Sequence, residues 1–65
     1  MPEHLLRAHQ VAEMLNTRVS TIYALCRRGE LVHIRLGEGR RRPLIRFRRE
    51  ELESFLRQRT IPRSR

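Results

Sequence analysis

Between Ala8 and Leu15 the apolar residues Ala8, Val11, Ala12 and Leu15 recur at intervals of three and four, the stripe of an amphipathic helix. Asn16 to Val19, "NTRV", breaks that stripe with turn-forming and capping residues, and a second helical stripe follows in Ile22, Leu25 and Cys26. Gly29 ends the second helix, because glycine accepts the left-handed conformation of a helix C-cap, while Arg27 and Arg28 in the last turn complement the negative end of the dipole. The pattern predicts two short helices joined by a tight turn.

The period then drops to two. In "LVHIRL", Val32, Ile34 and Leu36 alternate with Leu31, His33 and Arg35, and in "LIRFR", Ile45 and Phe47 alternate with Leu44, Arg46 and Arg48. Two antiparallel strands are predicted, with Arg35, Arg46 and Arg48 on their exposed face. Gly37 to Pro43 form the connecting loop, and Pro43, which has no amide proton, marks the start or edge of the second strand. An isolated hairpin is marginal in water, so this one must pack on the helices.

"REELESFLRQR" completes the pattern with Leu52, Phe55 and Leu56 on one helical face. Glu50, Glu51 and Glu53 lie near the positive end of this third helix, and Arg57 and Arg59 near the other. "TIPRSR" has no period. The expected organisation is one domain over residues 1–59 and a basic flexible tail over 60–65.

Composition narrows the function. Fifteen basic residues, all arginine, oppose seven acidic ones in 65 residues, for a formal charge of +8, so the surface field favours a polyanion, above all nucleic acid. Arginine's planar fork suits phosphate and guanine edges better than a point charge does. No apolar run approaches the roughly 18 residues that span a bilayer, and "MPEHLL" lacks the apolar core of a signal peptide. A cytoplasmic protein without membrane contact is expected. Cys26, the only cysteine, excludes an internal disulfide and reads as a small core hydrophobe. His4, His9 and His33 have no metal-ligand spacing, and the helix dipole accounts for Glu50, Glu51 and Glu53 without a catalytic role. No metal, cofactor, small-molecule ligand or enzymatic activity is expected.

Helix, tight turn, helix, hairpin, helix is a winged helix-turn-helix order, mainly α with a small β-hairpin, in which the second helix can enter a DNA major groove and the hairpin can reach the flank. In the second helix Ser20, Thr21, Ala24, Arg27 and Arg28 lie off the apolar stripe, Arg18 and Val19 stand at the leading end, and Tyr23 sits between the two faces. These form the candidate recognition surface. Arg35, Arg40, Arg41, Arg42 and Arg46 form the candidate wing contacts.

"VAEML", "STIY", "RRGEL" and "REELESFL", set within residues 5–57, resemble the excisionase-type DNA-binding domain, a small winged-helix group related to MerR-type regulators. The resemblance implies a DNA-binding protein of a phage or mobile element that directs an integrase toward excision by binding and bending attachment-site DNA, or else a small transcriptional regulator. It implies no enzyme. Double-stranded DNA, a recombinase and further copies of the chain on DNA are the implied partners. With no effector domain after residue 57, the chain is expected to match only the DNA-binding half of a MerR-type activator. Arg7 and Arg18 stand where the family usually places Ser or Thr as helix N-caps, so Asn16 or Thr17 is an alternative cap for the second helix. The wing is longer than the usual pattern. From a different class, a basic module for an acidic protein partner would share the charge but not these motifs.

Overall fold

Both of the first two helices stop on a residue in the left-handed conformation. The computed structural model describes residues 4–37 and 44–62. In chain order its elements are β1 (Leu6–Arg7), α1 (Ala8–Met14), α2 (Val19–Arg27), β2 (Ile34–Arg35), β3 (Ile45–Phe47) and α3 (Arg49–Arg59). Asn16 has φ 57° and Gly29 φ 74°. After α1 the amide of Asn16 donates to the Glu13 carbonyl and that of Thr17 to Ala12; after α2 the amide of Gly29 donates to Cys26 and that of Glu30 to Leu25. Each is a Schellman closure, which satisfies carbonyls that the helix end leaves open. Asn16 is thus committed to ending α1, and the N-cap of α2 is Arg18, the position the resemblance implied, rather than Asn16 or Thr17.

Ala8, Val11 and Ala12 of α1 and Ile22, Leu25 and Cys26 of α2 are buried in one apolar cluster with Leu6, Leu31, Ile45, Phe47, Leu52 and Phe55. Tyr23 and Leu15 pack on its edge. Burial pushes the Cys26 thiol up from its ordinary value, because charge is disfavoured away from water. Leu56, expected on the core face of α3, is instead 39% exposed. The contact stripe of this helix is narrow: Leu52 and Phe55 fill it, and Leu56 falls at its margin.

The winged helix-turn-helix architecture is present, with one strand more than the pattern disclosed. β3 is the central strand of a three-stranded antiparallel sheet in the order β1-β3-β2. Leu6 faces Phe47, and Arg7 faces Arg46. Two residues are too few to display a period, so β1 left no signal in the sequence.

The second departure is one of phase. Leu31 is 1% exposed, whereas Val32 is 58% and Leu36 54% exposed. Alternation from residue 31 onward assumes a strand that starts there, but the Leu31 amide still bonds the Leu25 carbonyl of α2. Leu31 therefore belongs to the helix ending and tucks beneath it. The ladder begins only at Ile34, in the register Ile34 with Arg46 and Arg35 with Ile45, and an amide-to-carbonyl bond from Leu36 to Leu44 extends it toward the loop. Directly opposed residues of an antiparallel pair share a face. Arg35 thus shares the face of buried Ile45, while Arg46 shares that of Ile34, and the expectation of a single exposed face for Arg35 and Arg46 is corrected. His33, expected beside Arg35 in the open, is half-buried with its ring centroid 6.3 Å from that of Phe47.

At the C-terminal end the Thr60 hydroxyl donates to the Leu56 carbonyl at 2.6 Å and closes α3. Among the described residues no helix is long and apolar enough to cross a membrane.

The phase of residues 31 and 32 is directly measurable. Leu31→Ala removes a fully enclosed side chain and is expected to cost about 2–5 kcal/mol in urea denaturation. Val32→Ala should stay within about 0.5 kcal/mol. The opposite ranking would restore the simple alternation.

Candidate nucleic-acid interface

α2 contains no acidic residue. Ile22, Leu25 and Cys26 turn inward, which leaves Ser20, Thr21 and Arg27 exposed and Ala24 and Tyr23 half-buried along the outer side. Arg18 and Val19 are exposed at its leading end, where Arg18 makes no capping bond through its side chain. An arginine side chain has no acceptor with which to cap a helix. The same limit holds at α1, where the bond that forms runs from the Arg7 amide to the Gln10 side-chain oxygen at 2.8 Å, so only half of a capping box is made. At the start of α2 a positive side chain stands beside the positive end of the dipole. The arrangement is locally unfavourable for folding and favourable for an anion.

Arg28 is differently placed. Its Nε and Nη2 donate to the two carboxylate oxygens of Glu30 at 3.1 and 3.3 Å. Nη2 of Arg59, from the last turn of α3, donates to Glu30 Oε1 at 2.7 Å. The Arg59 guanidinium also lies 4.7 Å from the Phe55 ring centroid, a cation–π contact. The hydrogen bonds from Arg28 and then from Arg59 hold the Glu30 carboxyl below the ordinary glutamate value. Sequence reading placed Arg28 on the recognition surface and missed this cluster. Proximity in "RRGE" signals the first pair, but nothing local signals an ion pair spanning 29 positions.

Between α2 and the sheet runs an open cleft of about 330 Å³, lined by Tyr23, Cys26, Arg27, His33, Arg35 and Ile45. Tyr23 and Arg27 are one turn apart on α2 and so adjoin. Arg35 reaches the cleft because the register puts it opposite Ile45. His33 Nδ1 lies 3.0 Å from the Leu31 carbonyl oxygen, which can only accept, so in this contact Nδ1 is the donor. Arg46 is half-buried on the other face and donates through Nη1 to the Ile45 carbonyl at 2.8 Å. Arg40, Arg41 and Arg42 lie outside the described residues. Among the described residues no group of three or more His, Cys, Asp or Glu could hold a metal ion.

A family model described as a helix-turn-helix domain matches residues 5–60. No curated protein and no solved structure matches the chain.

The missing cap at α2 yields a trade between stability and binding. Arg18→Ser supplies an N-cap acceptor and removes the unfavourable charge, which should raise stability by about 1 kcal/mol in urea denaturation. The same substitution should weaken binding to duplex DNA in a fluorescence-anisotropy titration. A gain in both quantities would remove Arg18 from the interface.

Proposed function

The chain belongs to the helix-turn-helix domain family, a DNA-binding fold, and from that premise we propose that it is a sequence-specific double-stranded-DNA-binding protein acting as a recombination directionality factor. One observation carries the DNA contact: α2 turns an outer side of small polar residues and arginine, free of carboxylates, to solvent. In this reading α2 lies in the major groove. Ser20, Thr21 and Ala24 meet base edges, and Arg18, Tyr23, Arg27 and Arg35 meet phosphates. Arg40, Arg41 and Arg42 of the wing grip the flank, a narrow groove being favourable for arginine.

The excisionase role rests on the resemblance of "VAEML", "STIY", "RRGEL" and "REELESFL", and on size. One such module buries about 600–1,000 Å² and specifies only a few base pairs, so a unique site needs several copies. α3 has 11 residues, too few for the three to four heptads of a stable coiled-coil seam. We propose a cytoplasmic monomer that binds repeated sites cooperatively, bends the duplex and assists an integrase. Its work is binding rather than catalysis.

With four to seven phosphates neutralised per protomer, log K should fall against log salt with a slope of roughly −4 to −6. Thr21→Ala should alter preference among sites at about 1–3 kcal/mol per lost base contact, and Arg41→Ala should weaken all sequences alike. A slope near zero would replace DNA with an acidic protein partner. Normal DNA binding without stimulation of integrase-dependent excision would leave a small transcriptional regulator.

A further inference from the structure

We propose that the cleft between α2 and the sheet is a seat for a single backbone phosphodiester, held jointly by Arg27 from the helix and Arg35 from β2. The inference rests on the DNA-binding reading above and specifies which groups share one phosphate. Two exposed arginines from separate elements line one opening. Among the described residues neither is paired with a carboxylate, whereas Arg28, next in sequence to Arg27, is neutralised by Glu30. Among the described residues no acidic one lines the cleft. Two uncompensated guanidinium groups at one opening are a source of mutual repulsion that a shared anion removes, and each presents a fork matched to the two non-bridging oxygens of a phosphodiester.

The remaining lining favours the same ligand. Cys26 and Ile45 are buried residues that form an apolar wall, which lowers the local dielectric and strengthens any charge pairing at the mouth. Tyr23 adds a phenolic hydroxyl to the lining, while His33 directs Nδ1 at the Leu31 carbonyl oxygen rather than into the cleft. The cleft is open and near the lower end of the size range of ligand pockets. It accommodates a backbone phosphate entering from outside without requiring the duplex to penetrate the core. The seat would fix the helix and the wing on one point of the backbone and so set the angle at which α2 meets the groove.

Counterion release distinguishes a shared phosphate from two separate ones, since the salt slope counts phosphates rather than arginines. Titrations of a random-sequence duplex of about 20 base pairs would compare the unaltered chain with Arg27→Gln, Arg35→Gln and the double variant, each verified as folded by circular dichroism. For a shared phosphate each single variant keeps nearly the original slope, because the other arginine remains, and the double variant is less steep by about 0.9. A reduction of about 0.9 in each single variant and about 1.8 in the double would overturn the shared seat while leaving DNA binding intact. An unchanged slope in the double variant would also overturn it. If the unaltered chain shows no affinity for the duplex, the DNA-binding reading fails and the seat with it. Micromolar binding of inorganic phosphate, read from the Arg27 and Arg35 Nε–H resonances, with unchanged duplex slopes, would make the cleft a free-anion site instead.

Discussion

Phe47 has no solvent-exposed surface, and the arrangement of the whole molecule depends on where that ring is buried. It sits in the central strand, opposed by Leu6 of β1 and approached by the His33 ring. One residue later Arg48 is the N-cap of α3. Burying a side chain of this kind contributes about 1.5–3 kcal/mol, a large share of the margin available to a domain this small. Through the same cluster Ile22, Leu25 and Cys26 hold α2 on α1, which in turn packs against β3. α2 and the base of the hairpin are therefore positioned by one core rather than by a flexible joint.

That shared core explains the distribution of charge. The acidic first turn of α3 complements its own dipole, and Glu30 is occupied by Arg28 and Arg59. Both uses leave the outer side of α2 itself without a carboxylate. Such exposed ion pairs contribute little to stability. The result is a sorting of arginines: Arg28 and Arg59 are compensated by Glu30, while among the described residues Arg27 and Arg35, which line one cleft, have no carboxylate partner. The uncapped start of α2 at Arg18 follows the same logic, since a better helix start would offer less to an anion.

The helices were legible because their apolar stripes are long enough to define a period. The pattern "REELESFLRQR" corresponds to α3 over Arg49–Arg59, and Gly29 is the left-handed residue that ends α2. The sheet was less legible. Alternation can give the faces of a strand only if its starting point is known, and Leu31 still belongs to the ending of α2. That phase error hid the burial of Leu31, and pairing Arg35 with Ile45 across the sheet placed Arg35 on the face opposite to Arg46. Which residues of α2 turn outward follows from helical geometry, whereas the pairing of Arg28 with Glu30 was not read. The cleft, and the ion pair between Glu30 and Arg59, depend on elements distant in sequence and leave no local trace.

The central claim is that DNA meets the side of the molecule formed by α2 and Arg35. The most direct measurement is a nitrogen–proton NMR titration with duplex DNA, following backbone amides and arginine Nε–H groups together. The largest shifts should occur at residues 18–28 and at the Nε–H groups of Arg27 and Arg35, with the amides of Glu50, Glu51 and Glu53 nearly unmoved. Shifts centred on the acidic start of α3, with α2 unaffected, would contradict the account.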